Sequence, residues 1–353
     1  MKNLLNDSKP PKDIPFTDEI SIMEALRKTK ITMSHVPGDL PPALRGEFFQ
    51  WLTEPFKNII VEIVTSGEWP MAWKVENGTP IVKETPPVES EDSLRVISIT
   101  NKLSMCAEQF VIRWAWPYLK DKIDRDQFGG ITGNAVSHYL IELTNFVLYN
   151  QDMTTPLASI ITLIDFSKGF NRIEHSKLLL DLADMGLPGW ILRIITSYLE
   201  NRSLIVRYKE GSSEPAALPG GVGQGTILGL WLFLIKMNKM ASGGETDKKI
   251  GEFLNSKKNK SMEKCKKKWV DDLTIAHSLD INMVCNQFNV NDIIRPQNWH
   301  SRTGHYLPKE FNPAQKELNG IFKMAIDNSM IVNRKKPKQC YSTVVRQLIL
   351  NHF

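Results

Sequence analysis

Cysteine is scarce in this chain, and its four copies, Cys106, Cys265, Cys285 and Cys340, form no CxxC pair. Neither a structural zinc site nor a disulfide framework is therefore indicated, and a reducing interior fits best. Long apolar runs are missing too: none approaches the roughly 20 residues that a membrane span needs. The N-terminus has no apolar signal core and carries an acid at Asp7, so no export signal is expected. These absences predict an intracellular protein, nuclear or cytoplasmic, with no membrane partner. Internal repeats are lacking, and the glycines at 219–225 are followed by no Gly-Lys-Ser/Thr and do not meet GxGxxG, which excludes a P-loop.

What is present is an ordinary globular composition, 42% hydrophobic and 24% charged, over 353 residues. That length exceeds what one core usually serves, so two or three lobes are expected. The net charge of +5 is modest but uneven. Lys248, Lys249, Lys257, Lys258, Lys260, Lys264, Lys266, Lys267 and Lys268 crowd into one segment. Such a run attracts phosphates; it equally suits a solvated loop or a nuclear-targeting patch.

Patterning along the chain predicts an α+β fold. A Pro-rich extended arm covers residues 1–16. A helix follows from Thr17, its candidate N-cap, and a longer one starts near Pro41-Pro42 with Leu44, Phe48, Trp51, Leu52, Phe56, Ile59, Ile60 and Ile63 mostly on one face. Strands are expected at 79–83 and 94–99, then helices at 103–119 and 134–149. The β-branched run at 158–164 reads as a central strand buried on both faces. Two helices follow, one at 174–185 closed by Gly186 and one from Pro188 to Leu199. A strand at 203–208, the Gly-rich loop at 219–225 and an apolar helix at 226–240 come next.

Three carboxylates stand out. Asp271 and Asp272 sit at the tip between two short strands, in Trp269-Val270-Asp271-Asp272-Leu273-Thr274-Ile275-Ala276, and Asp165 ends the strand at 158–164. Asp is also a favoured turn and cap residue, so each position has a plain structural use. If the three converge, they supply hard oxygen ligands for two divalent cations of the kind that drive in-line phosphoryl transfer. Magnesium suits such a site, since it keeps waters and substrate phosphates in its shell. The glycines around Gln224 let backbone amides approach a nucleotide or base pair closely; a flexible strand-to-helix connection is the alternative use.

Together these segments resemble the reverse transcriptases of non-LTR retrotransposons, in the family's order through most of residues 17–340. Residues 164–175, Ile-Asp-Phe-Ser-Lys-Gly-Phe-Asn-Arg-Ile-Glu-His, are close to the signature DFSKAFDxVxH. Gln224-Gly225-Thr226-Ile227-Leu228-Gly229, with Leu232-Phe233 behind it, is similar to PQGSxLGPLLF, and Trp269-Val270-Asp271-Asp272 to the (F/Y)xDD box. Arg95-Val96-Ile97-Ser98 looks like the RPIS motif, Gln127-Phe128-Gly129 like the loop after it, and Asn333-Arg334-Lys335-Lys336 like NxxK(T/C).

The resemblance implies a right-hand polymerase that copies RNA into DNA, using an RNA template, a DNA primer and deoxynucleoside triphosphates. It implies fingers within residues 17–157 and an antiparallel-sheet palm at 158–345 with a Lys-rich insertion at 245–268. Residues 346–353 would be the start of a truncated thumb or a tail, and no endonuclease domain is expected before the polymerase part. Asp165, Asp271 and Asp272 become ligands of two magnesium ions, with manganese as a substitute, assisted by the backbone carbonyl of Phe166. Phe170 becomes the gate that excludes a 2′-hydroxyl, its alternative being core packing. Gln224 contacts the sugar edge, Gly225 admits the base pair, Arg95 grips the triphosphate with Lys83 assisting, and Lys336 donates a proton to the leaving pyrophosphate. The chain departs from the family at Asn171, Gly223, Leu230-Trp231 and Pro337. Two other readings share these residues: an RNA-dependent RNA polymerase, and a catalytically impaired nucleic-acid-binding remnant. The oligomeric state is left open.

Overall fold

The computed structural model describes residues 9–29, 36, 39–41, 46–82, 94–152, 158–164, 166, 168–241, 264–269, 272–279, 323, 325–327 and 330. In chain order its main elements are α1 (Glu19–Lys28), α2 (Phe49–Ser66), β1 (Val75–Val82), β2 (Leu94–Ile99), α3 (Lys102–Leu119), α4 (Val136–Gln151), β3 (Ala158–Ile164), α5 (His175–Asp184), α6 (Gly189–Leu199), β4 (Arg202–Tyr208), β5 (Gly211–Ser212), β6 (Ala216–Leu218), α7 (Ile227–Ala241), β7 (Lys264–Trp269) and β8 (Asp272–Leu279). The chain divides into two compact units: residues 1–123 with 170–236, and residues 124–169 with 237–353. Among the described residues no helix is long and apolar enough to cross a membrane.

The first unit combines helices with a five-stranded sheet of order β2-β1-β4-β5, in which β6 also pairs with β4. It is mixed, β1 running antiparallel to β2 and parallel to β4. Asp18, not Thr17, caps α1: its carboxylate accepts the Ser21 N–H at 2.9 Å, while the Thr17 hydroxyl donates to the Ile14 carbonyl. The α2 face turned inward carries Phe56, Ile60, Ile63 and Val64, and the helix stops at Gly67, whose φ of 73° releases its N–H to the Ile63 carbonyl. Trp51 departs from the expected face and is 79% exposed. Helix α6 lies in this core, with Ile191, Ile194 and Ile195 fully buried. Each such side chain contributes roughly 1.5–3 kcal/mol by leaving water. Around it Trp114 meets Trp190 at 5.7 Å and Tyr198 meets Trp69 edge-on at 5.2 Å.

The second unit holds a three-stranded antiparallel sheet of order β3-β8-β7. Sequence pattern predicts β3 to be a central strand buried on both faces. Among the described residues it is instead an outer strand, and Leu163 is 43% exposed. Apolar periodicity cannot separate a strand with neighbours on both sides from one that has a single neighbour.

Candidate functional site

In the second unit, β7 and β8 form the acidic hairpin, with Trp269 opposite Asp272. On the other side of β8 the register runs from Ala158↔Leu279 to Ile164↔Leu273. Two residues separated by over 100 positions in sequence, Ile164 and Leu273, are thus side-by-side partners. Ile164 directly precedes Asp165 in the chain, and Leu273 directly follows Asp272. Asp165 and Asp271 themselves lie outside the described residues, and Asp272 is described as the first residue of β8. Among the described residues no cluster of three or more His, Cys, Asp or Glu side chains is set to hold a metal ion. Carboxylates at Asp165, Asp271 and Asp272 would suit a hard divalent cation, and the β3–β8 register aligns the two chain segments that carry them.

The hairpin is locked from behind. Lys268, expected to lie along phosphates with the rest of the basic run, is fully buried, and its ammonium donates to Asp124 at 2.6 Å. A lysine within a strand is drawn inward when alternation turns it to the covered face and a carboxylate offsets the desolvation. Burial depresses its pKa, and the Asp124 hydrogen bond and charge oppose that shift. The backbone of the same residue joins the 126–128 loop: Lys268 N–H donates to Asp126 at 2.8 Å and Phe128 N–H to Lys268 at 2.9 Å. Above it, Tyr139 from α4 shares a short hydroxyl contact with Thr274 and meets Trp269 edge-on at 6.3 Å.

The first unit carries the remaining described candidates. Phe170 opens a short 3-10 turn, Phe170–Arg172, and stacks on Phe233 of α7 with ring centroids 4.1 Å apart and planes 8° from parallel. Its carbonyl accepts the Val222 N–H at 2.9 Å, and Ile173's carbonyl accepts the Gly221 N–H at 2.8 Å. Gly221 has a φ of +80°, and a Cβ there would sit 2.9 Å from the Asn171 Cα. Glycine is needed at this crossing for both reasons. The loop is then stitched to β2, since Ser98 N–H donates to the Gln224 carbonyl at 2.8 Å. Gly225, with φ +133°, has no room for a Cβ against the Ser98 carbonyl oxygen. Arg95, exposed on the same strand, lies opposite Ile81.

Beneath the loop lies a buried polar network. Glu76 accepts from Arg202 Nε at 2.7 Å, Arg202 Nη1 donates to the Tyr198 carbonyl at 3.1 Å, and the Tyr198 hydroxyl donates to Thr226 at 3.1 Å. Gly223, where the resembled motif has proline, packs on this network: a Cβ there would be 2.9 Å from Glu76 Oε2. The carboxylate leaves no room for a Cβ at this position, which favours glycine there. Glu108 of α3 accepts the Leu228 N–H at 2.9 Å and so caps the start of α7. Burial pushes its carboxyl up to about 7, against the opposing pull of that backbone bond.

Of the candidates drawn from sequence, the structure brings Phe170, Gln224, Gly225 and Arg95 into one unit by the bonds just given. Lys83 and Lys336 lie outside the described residues, as do Asp165 and Asp271. Sequence reading missed Glu76, Arg202, Glu108 and the bracing role of Lys268. Their partners are remote in the chain, and no local motif signals them.

Comparison with known proteins agrees with these motifs. The family model described as reverse transcriptase (RNA-dependent DNA polymerase) matches residues 81–346. A probable RNA-directed DNA polymerase from transposon BS of Drosophila melanogaster is 27% identical over 169 residues, which is 47% of this chain and 18% of that protein. The corresponding protein of the X-element is 26% identical over 180 residues, 50% of this chain and 20% of its own length. The RNA-directed DNA polymerase of mobile element jockey is 24% identical over 184 residues, 52% and 20%. The matched part thus spans about a fifth of these curated relatives.

Proposed function

Because the chain belongs to the reverse transcriptase family, we propose that it is the polymerase part of a non-LTR retrotransposon protein, an RNA-directed DNA polymerase. A primer 3′-hydroxyl attacks the α-phosphorus of a deoxynucleoside triphosphate, a new P–O bond forms, and the bond to pyrophosphate breaks. Asp165, Asp271 and Asp272 hold two magnesium ions, with the Phe166 carbonyl assisting. When bound, such ions lower the pKa of the attacking hydroxyl and neutralise charge on the leaving oxygen. The observation that carries this reading is the β3–β8 register, which aligns the chain neighbours of Asp165 and Asp272.

The other residues bind and orient. Arg95 grips the triphosphate through a planar guanidinium, with Lys83 assisting. Phe170 blocks a 2′-hydroxyl, Gln224 reads the sugar edge, Gly225 lets the backbone meet the nascent base pair, and Lys336 protonates the departing pyrophosphate. The sheet β3-β8-β7 is the metal-bearing core of the palm, and the division into fingers up to residue 157 and palm from 158 belongs to the same reading. RNA template and DNA primer are the partners.

Primer extension on an RNA template, with and without magnesium, tests this. Asp271→Asn should lower extension by roughly 100- to 1,000-fold, the scale seen when one preorganised electrostatic group is lost. Equal extension by both proteins sinks the mechanism. Salt-sensitive binding of template-primer with no extension at any magnesium concentration would assign the chain to nucleic-acid binding alone.

A further inference from the structure

We propose that Phe233 is a positioning residue for sugar selection, acting through Phe170; the inference rests on the reading of Phe170 as the sugar gate. A gate discriminates by collision, so its ring must not yield when a 2′-hydroxyl presses on it. The backbone of Phe170 is already fixed, its carbonyl holding the Val222 N–H at 2.9 Å and its turn crossed by Gly221. What remains free is rotation of the ring. Phe233 closes that route: the near-parallel stack at 4.1 Å and 8° puts one ring face in van der Waals contact. Turning the Phe170 ring about its Cβ–Cγ bond drives an edge into Phe233. Phe233 itself has nowhere to go, being fully buried on α7. That helix is anchored at its start by Glu108 on Leu228 and by Thr226 on Gly229, at 2.9 and 3.0 Å. Phe170 is only half-buried, so the residue keeps surface open to a ligand.

Phe233 as mere core filler predicts something different. Shortening it would then slow all incorporation alike, whereas a positioning role affects the sugar ratio. The test is single-nucleotide incorporation by the full chain with deoxy- and ribonucleoside triphosphates, comparing kcat/KM for the two in wild type, Phe233→Leu, Phe233→Met, Phe170→Ala and the Phe170→Ala/Phe233→Leu double variant. Leucine and methionine keep much of the volume and lose the flat face, so that two independent variants report on one contact. Each should reduce the deoxy-to-ribo preference by roughly tenfold, the upper end of what an aromatic pair contributes, chiefly by raising ribonucleotide incorporation. The double variant should be no less selective than Phe170→Ala. Should Phe170→Ala lose selectivity while both Phe233 variants keep it, the buttress is wrong and the gate stands. If Phe170→Ala keeps selectivity, gate and buttress fall together.

Discussion

The two units differ in what ties the segments of interest in place. In the first, the segments bearing Phe170 and Gln224 are tied together and to β2 through main-chain hydrogen bonds, with glycines at 221 and 225 where a Cβ does not fit. In the second, the hairpin that begins β8 at Asp272 adds side-chain locks to the main-chain bonds of Lys268 with residues 126 and 128: the Lys268–Asp124 pair and the contacts of Tyr139 with Thr274 and Trp269. Main-chain ties tolerate changes in side chain but fail when a glycine gains a methyl. Side-chain locks behave the other way, and one buried charge left alone is costly.

Removing Lys268 should have the largest effect on this contrast. Lys268→Met removes the ammonium from Asp124, whose side chain is 20% exposed and still accepts the Asp126 N–H, so the cost falls at the low end of the about 3–5 kcal/mol for a broken buried pair. Hydrogen exchange of the β7 and β8 amides should rise accordingly while β1 and β2 stay protected; a uniform rise across both units would mean that the lock is not local. Gly225→Ala comes next, because alanine at φ +133° is strained by about 1–3 kcal/mol and meets the Ser98 carbonyl. The expected result is a raised KM for the incoming nucleotide with the second unit's exchange unchanged. A KM equal to wild type would remove the main-chain account of the loop.

The smallest effect concerns pH. Glu108 has a carboxyl raised by burial from the usual 4.5 to about 7. The folded state therefore binds a proton that the unfolded state has released between those values, and stability is fullest below the lower one and declines as pH rises through the window. Glu108→Gln keeps the acceptor for Leu228 and removes the titration. Its thermal midpoint should vary less with pH across that range than wild type, and an unchanged slope would assign the pH dependence elsewhere.

Much of the fold was legible because local chemistry decides it. Gly186 adopts a positive φ where sequence placed a helix end, and the runs at 94–99 and 158–164 are strands. Trp51 and Leu163 were misjudged for one reason: periodicity tells which residues share a face, but not whether anything covers it. Family membership was legible in the ordered motifs around Asp165, Gln224 and Asp271, and residues 81–346 match the family.

The Glu76–Arg202 pair beneath Gly223 was not legible, since its members are 126 positions apart and neither belongs to a motif. The resemblance marks Gly223 only as a departure from proline; in the fold, a Cβ there would come within 2.9 Å of Glu76 Oε2. The sequence by itself determined the element order, the family and the identity of the candidate carboxylates, because turn, cap and strand preferences act over a few residues. Only the tertiary structure decided that Ile164 sits beside Leu273, that Lys268 is an internal brace and that Phe170 leans on Phe233. Those depend on which surfaces the folded chain brings together, and burial energies are set by that meeting, not by any residue taken alone.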